Sequence, residues 1–529
     1  MKNVYLRQNV VVEPLINQWY AWSYLISPAT VPLYITNLHL KIMESFVAAP
    51  QVHAAAYKNP RMLGGPFINY DESKAFAVNE LLETTRKQQA HMVEFAEGVE
   101  KLDRILASEA NGYSLEPLYE SIPAPLRGYV ELIYDLHNNP SFRFIEGLLY
   151  RSRYYDTSSQ SLALSLINGD YRVFVFSTPR LNTDESFHIK IPFDSPAIDE
   201  LFKMKTVPRP LGYIREALNL DEKDEKLLAP FFTEEAPPPR TNQSYNGDGV
   251  RIRYVAHACV LIESGHTAIL TDPVISYSYQ TDVPRITFAD LPERIDYILI
   301  THNHQDHCMF ETLLQLRHKV GTIIVPRNSG GRADPSLKRI LQSMGFSDVR
   351  EIDEVESIEI EGGSITGMPF LGEHCDLSIR TKTAYLIRVK GNSILIGADS
   401  CNIEPHLYGH IHDLFGDLDL LFLGMECDGA PLTWMYGPLL TNSVPRKMDR
   451  SRKLNGSNYE QALDIVNRTR AKQVYVYAMG LEPWLVYLTS LLYTDDALPM
   501  VESARLVETC RERGIEAERL YCKKEIVLQ

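Results

Sequence analysis

Ile300-Thr301-His302-Asn303-His304-Gln305-Asp306-His307 packs three imidazoles and a carboxylate into six residues, and its reading decides the fold. The run before it, Ile295-Asp296-Tyr297-Ile298-Leu299-Ile300, reads as a buried strand bounded upstream by Pro292. Met309 to Leu316 reads as a helix leaving the cluster. The polar residues therefore sit on a strand-to-helix loop, where a rigid scaffold aims them together. Four strong ligands so close do not all reach one ion with good geometry. Two neighbouring metals fit better, one held by His302 and His304, the other by Asp306 and His307.

The 529 residues exceed what one core organises, so two or more domains are expected. With 45% hydrophobic and 23% charged residues the composition is that of a folded globular protein. A net charge of −15 argues against a general nucleic-acid or anionic-membrane binder. No apolar run approaches the roughly 20 residues of a membrane helix, and Met1 to Pro14 lacks the apolar core of a signal peptide. Seven cysteines with no CxxC pairing fit reduced thiols in a cytoplasmic protein. Cys308, Cys375 and Cys401 lie near proposed ligands, but a soft sulfur site normally recruits more than one well-placed Cys.

Residues 1–235 contain no cysteine and no ligand-rich cluster. Pro14 to Phe46, rich in Trp and Tyr, reads as a buried or interface-forming helical segment, and Glu80 to Ala107 as a longer amphipathic helix. Tyr171 to Phe176 and Phe187 to Pro192 read as strands, and Leu218 to Phe232 as one more helix. His39, His53, His91, His137 and His188 are scattered and read as structural or exposed. This half is expected to be a mixed α/β domain without chemistry of its own. Residues 236–249, proline-rich and then polar, read as a linker.

From 250 to 529 the pattern changes to short strands and helices. Strands are expected over Val250 to Glu263 and Ala268 to Pro273 around a Gly265-His266 turn, then over Thr322 to Val325, Ile358 to Met368, Thr383 to Val389, Ser393 to Gly397, Leu418 to Leu423 and Gln473 to Tyr477. Strand ends recur beside Asp272, His302, Glu373, Asp399 and Glu426, a convergence that a layered α/β sandwich provides.

His257-Ala258, Thr271-Asp272-Pro273, the HxHxDH loop and Gly397-Ala398-Asp399-Ser400 resemble the metallo-β-lactamase superfamily. The resemblance implies an αββα sandwich with a two-metal site at one edge, over about residues 250–529. The chain departs from the hydrolases of that superfamily twice. The loop expected to carry a third histidine reads Phe370-Leu371-Gly372-Glu373-His374-Cys375-Asp376, with a carboxylate beside the imidazole. His412 is the last histidine, and the terminal strand where another would lie runs into Ala478-Met479-Gly480. A site of imidazoles and oxygen donors with open positions suits iron at least as well as zinc, and Asp399 is placed to bridge two ions. If His374 filled the third position instead, the alternative would be a dizinc hydrolase of an ester, thioester or phosphodiester.

The whole chain is similar to the diiron β-hydroxylases of the chloramphenicol-biosynthesis type. Gln51 to Ala56, Phe288 to Asp296, Phe370 to Asp376, Lys453 to Asn458 and Tyr477 to Trp484 carry this resemblance, with the HxHxDH loop. It implies an O2-dependent monooxygenase acting on an amino acid held as a phosphopantetheine thioester on a nonribosomal peptide synthetase carrier domain. It implies two iron ions, with His302, His304 and Glu373 on one, Asp306 and His307 on the other, and Asp399 bridging. It also implies an external electron donor from an unknown reductase, and a homodimer formed through the N-terminal domain, which also shapes carrier docking. Glu426, after the strand at 418–423, is a candidate supporting residue, and His374 is placed to orient Glu373.

Overall fold

Alternate side chains of a strand leave on opposite faces, and here they enter separate cores. Ile394, Ile396, Leu420 and Phe422 join one buried cluster, whereas Leu395, Leu421 and Leu423 join another. The computed structural model of the chain describes residues 2–238, 245, 247–265 and 267–529, and on this pattern it builds two seven-stranded sheets. The first runs, in spatial order, Val349–Ile352, Val320–Pro326, Ile295–Leu299, Thr267–Thr271, Cys259–Ser264, Val250–Ala256 and Lys524–Leu528. The second runs Ser357–Ile360, Gly363–Met368, Ala384–Val389, Asn392–Ile396, Leu420–Gly424, Gln473–Tyr477 and Glu516–Arg519. Face to face they bury Ile252, Ile262, Leu299, Tyr385, Ile387 and Tyr475.

Helices His406–Phe415, Tyr459–Thr469 and Leu498–Glu512 cover the outer face of the second sheet through Tyr408, Ile411, Ile465 and Leu506. Helices Phe310–Leu316 and Leu337–Ser343 cover the first, followed by the first half of the chain, in one apolar cluster running from Leu6 to Cys522. The expected αββα sandwich is present. Its parallel strands, Thr267–Thr271 beside Ile295–Leu299 and Asn392–Ile396 beside Leu420–Gly424 and Gln473–Tyr477, end on the same edge. Crevices at the carboxyl ends of such strands are where open α/β sheets place ligands.

The first half is mixed α/β, as expected, but several of its elements differ from the sequence reading. Pro14 belongs to a strand, Val10–Ile16, paired with Gln160–Leu166, and helix begins only at Ser23. The Glu80–Ala107 pattern is two helices, Ala75–Gln88 and Ala90–Glu109, parted at Gln89. Leu218 to Phe232 is not one helix: the helix Leu211–Ala217 stops before the left-handed Asn219, and short turns of helix around Pro230 follow. Ser186–Lys190 is a strand, but Tyr171 to Phe176 is not. In the second half, Ile358 to Met368 is a hairpin turning at Gly362, whose φ of 76° favours glycine. The proposed linker falls partly, and the Gly265-His266 turn at His266, outside the described residues. Among the described residues, no helix is long and apolar enough to cross a membrane.

The 171–176 segment fails as a strand because tertiary charge pairing outweighs its local pattern. The Arg172 guanidinium reaches Glu13 at 2.6 Å and Glu311 at 2.8 Å, and stacks 3.7 Å from the Tyr487 ring centroid. The Val175 N–H donates to the Tyr487 carbonyl at 3.0 Å. Glu311 also accepts from the Tyr277 hydroxyl at 2.6 Å, and Glu13 from Arg180 at 2.7 Å. The network thus ties the first half to the helix that follows the HxHxDH loop. Burial alone would raise the Glu13 carboxyl, but Arg180 and Arg172 bring it down to about 2. Its stabilising effect is therefore complete above the ordinary carboxylate value of 4.5 and is lost as pH falls toward 2. Removing one partner strands a buried charge, so Arg172→Ala should lower unfolding free energy by about 3–5 kcal/mol in urea titrations. A loss below about 1 kcal/mol would place the network at the level of a surface ion pair.

Candidate metal centre

The HxHxDH loop leaves the strand Ile295–Leu299 at the shared edge, with His302 and His307 fully buried, His304 nearly so and Asp306 partly exposed. Three groups of side chains there offer ligand atoms within 4.8 Å of one another: His302, His304 and Glu373; His302, His307 and Asp399; and His257, Asp306 and His307. All six residues singled out as metal ligands therefore lie together. Glu426 lines the same cleft, with Asp428, Trp434 and Leu454. None of the cysteines enters these groups among the described residues. Burial pushes the Cys375 thiol up to about 12 and Cys401 to about 11, which keeps both neutral.

Hydrogen bonds fix how each ring is presented. Asp272, at the end of the strand Thr267–Thr271, accepts from the Thr301 N–H at 2.7 Å and hydroxyl at 2.6 Å. Its Oδ2 lies 2.9 Å from His307 Nδ1, which places the proton on Nδ1 and turns the bare Nε2 to Asp399 Oδ2, 3.0 Å away. His304 sets Nε2 on the Tyr436 hydroxyl at 2.8 Å and faces Glu373 Oε1 with Nδ1 at 2.7 Å. His302 rests Nδ1 on the Thr301 hydroxyl at 3.0 Å and aims Nε2 toward Glu373 Oε2 at 3.8 Å. His374 Nδ1 lies 2.7 Å from that same Oε2, but neither of its ring nitrogens makes a hydrogen bond, so it packs beside Glu373 without the orienting bond read from the sequence.

His257 is different. Its Nδ1 accepts the Gly480 N–H at 3.1 Å, so its proton sits on Nε2, 3.3 Å from Asp306 Oδ2. In that tautomer the ring turns its N–H edge toward Asp306 and has no Nε2 lone pair for an ion. His257 and Asp272 are the site residues whose roles were not read from the sequence. The signal for each was present only as a polar residue at a strand end or turn.

The backbone at this edge is strained in a way that marks function. His257, Asp272, Glu373, Ala398 and Ala478 all have positive φ without being glycine, each in or next to the cluster. Each costs on the order of 1–3 kcal/mol and persists only where surroundings impose it. Gly372 is required as well, because a Cβ there would meet the Cys401 Cβ at 2.5 Å.

The charge pattern calls for a cation. Burial raises the Glu373 carboxyl, but the imidazoles of His304 and His374 bring it down to about 2. Asp306 is likewise lowered, by the His257 hydrogen bond and the His307 charge acting against burial. Glu426 is raised by burial and by Asp399, Asp306 and Glu373. Buried His302 Nε2, His307 Nε2, Glu373 Oε2 and Asp399 Oδ1 have no hydrogen-bond partner. Buried polar atoms are nearly always satisfied, so imidazole and carboxylate orphans converging on one another fit metal ions of oxygen–nitrogen preference.

These features define a metal-centred protein of the β-lactamase superfamily fold. Residues 251–423 match the description "Beta-lactamase superfamily domain", and residues 5–237 match "Diiron non-heme beta-hydroxylase N-terminal domain". The chain is 40% identical, over 99% of its own length and 99% of the relative's, to "4-amino-L-phenylalanyl-[CmlP-peptidyl-carrier-protein] 3-hydroxylase" of Streptomyces venezuelae. The crystal structure of CmlA, a diiron beta-hydroxylase from Streptomyces venezuelae, superposes with a TM-score of 0.94 at 39% identity, covering 100% of both chains. A mutant of the CmlA beta-hydroxylase gives a TM-score of 0.91 at 39% identity, over 99% of this chain and 100% of that one. The chain belongs to the diiron β-hydroxylase family.

Residues that orient ligands rather than bind metal typically change affinity by roughly 10–100-fold. Asp272→Asn and His257→Ala should each weaken Co2+ binding to the metal-free chain by that amount in calorimetric titration. Unchanged affinity in both would show that Thr301 and the backbone alone position the cluster.

Proposed function

We propose that the protein is an O2-dependent diiron monooxygenase that hydroxylates the β-carbon of an amino acid carried as a thioester on a nonribosomal peptide synthetase carrier domain. The observation that carries this reading is Glu373, a carboxylate within ligand distance of His302 and His304, in a chain matched end to end by a carrier-protein-dependent hydroxylase. His302, His304 and Glu373 would hold one iron, Asp306 and His307 the other, with Asp399 between them. Two irons held by these residues would supply two-electron redox chemistry toward O2, with the electrons coming from an external donor. The balance is one β-C–H bond, O2, two electrons and two protons giving a β-hydroxy aminoacyl thioester and water.

The chain's own residues set the conditions for that reaction. Asp272 and His257 fix His307 and Asp306. Tyr436 holds His304, and His374 packs beside Glu373. Glu426 faces the cleft beside them as a supporting carboxylate. Leu63 and Gly64 of the first half and Trp434, Met435 and Leu491 of the second wall the cleft and limit water around the acyl group. A dizinc hydrolase built on His374 is set aside, since the metal groups recruit Glu373 and not His374.

We assign residues 1–235 to dimerisation and carrier docking, 236–249 to the linker and 250–529 to catalysis. Exposed Ile133, Leu136, Ile145 and Leu148 give the first half an apolar surface for self-association. The homodimer, the reductase and a cytoplasmic location belong to this proposal.

Protein produced with iron should contain two irons per chain, because three overlapping donor groups, joined through His302 and His307, offer more ligands than one ion takes. Glu373→Gln should lower that content while His374→Ala largely preserves it; the reverse order would restore the zinc-hydrolase reading. Hydroxylation should require the carrier-bound thioester, and comparable turnover of the free amino acid would refute the substrate assignment.

A further inference from the structure

The cleft over the metal groups is lined by carboxylates, Asp306, Glu373, Asp399, Glu426 and Asp428, in a chain of net charge −15. The chain segments that continue from its walls to form its rim carry basic residues. One wall is stitched from two runs, with the Leu454 N–H donating to the Ala430 carbonyl at 2.9 Å and the Gly456 N–H to the Glu426 carbonyl at 2.8 Å. Between those runs the chain makes an excursion ending in Arg446-Lys447-Met448-Asp449-Arg450-Ser451-Arg452-Lys453. It is tied back to the wall where the Leu432 N–H donates to the Arg452 carbonyl at 2.8 Å.

Three of the six charged residues here are already engaged. Asp449 accepts from the Thr433 N–H and hydroxyl at 2.8 and 3.0 Å. Arg452 donates to the Cys375 carbonyl at 2.7 Å, and Lys453 pairs with Asp428. Arg446, Lys447 and Arg450 are exposed and pair with no carboxylate among the described residues. The first half supplies a second such segment through Leu63 and Gly64, which line the cleft. Trp434 Nε1–H donates to the Gly64 carbonyl at 2.9 Å, and a few residues upstream of Gly64 lie Lys58 and Arg61, both exposed and without an ion pair among the described residues.

Cations left unpaired on two segments that continue from the walls of one cleft suit a ligand with one anionic group outside the cleft and a neutral reactive end within it. An aminoacyl-phosphopantetheine arm has that form, with a phosphodiester at the carrier and an uncharged chain leading to the thioester. We propose that Lys58, Arg61, Arg446, Lys447 and Arg450 receive the phosphodiester of the carrier's arm while the aminoacyl thioester enters the cleft. This rests on the carrier-dependent reading above and adds to it where the arm is gripped.

The test compares the iron-loaded protein with a variant carrying Lys58→Gln, Arg61→Gln, Arg446→Gln, Lys447→Gln and Arg450→Gln, all exposed positions remote from the ligands. Each is offered one aminoacyl thioester on 4′-phosphopantetheine and on pantetheine lacking the phosphate. The parent should show a KM about tenfold lower for the phosphorylated thioester, with the advantage shrinking as salt rises. In the variant the two KM values should converge, with kcat and iron content unchanged. A preference retained by the variant, or absent from the parent, overturns the proposal. So does a defect seen with the carrier-bound thioester but not with the small phosphorylated one, which would move the contact to the carrier's own acidic surface. If the parent turns over neither thioester, the hydroxylase reading fails by itself. Equilibrium binding of 4′-phosphopantetheine against pantetheine, in parent and variant, then still decides whether the rim holds a phosphate.

Discussion

Burying a cluster of carboxylates and imidazoles at one sheet edge is the constraint on which the rest of the protein depends. An unpaired buried charge is costly enough that it is normally neutralised or paired. Here Asp306, Glu373 and Asp399 face His302, His304 and His307 across ligand distances, with orphaned atoms on both sides. Only a cationic centre satisfies both kinds of donor together. The left-handed backbone at Asp272, Glu373 and Ala398 brings those donors inward, and the parallel strands of both sheets supply the rigid ends from which they project.

The first half acts as a buttress and as a wall. Its core is continuous with the outer face of the first sheet, and Glu13, Arg172 and Arg180 reach the helix that follows the metal loop through Glu311. Leu63 and Gly64 enter the cleft itself. The metal groups found among the described residues draw their donors from the second half, while the first half shapes the site, so the cleft belongs to both halves.

What was legible in the sequence follows from locality. The HxHxDH loop, the strand before it and the helix after it are set by short-range pattern, whereas the all-apolar Ile394-Leu395-Ile396 shows a buried strand but not which face meets which core. The six proposed ligands were found because each sits at a strand end or in one dense motif. Tyr171 to Phe176 misled because its β-rich composition is overridden by an ion pair with Glu311, 139 residues away. Leu218 to Phe232 misled because the apolar spacing conceals Asn219 and Pro230 as breakers. His257 showed no role because its meaning depends on the Gly480 N–H, 223 residues distant, which sets its tautomer.

The central claim is that this edge reduces O2 and delivers one oxygen atom to a tethered amino acid. The direct measurement is a single turnover of the reduced, iron-loaded protein with an aminoacyl-carrier thioester under isotopically labelled O2 in unlabelled water, read by mass spectrometry of the released amino acid. The account predicts one labelled oxygen in a β-hydroxyl group and an intact thioester before release. Label absent from the product, or a thioester cleaved with oxygen taken from water, would contradict it and return the site to hydrolysis.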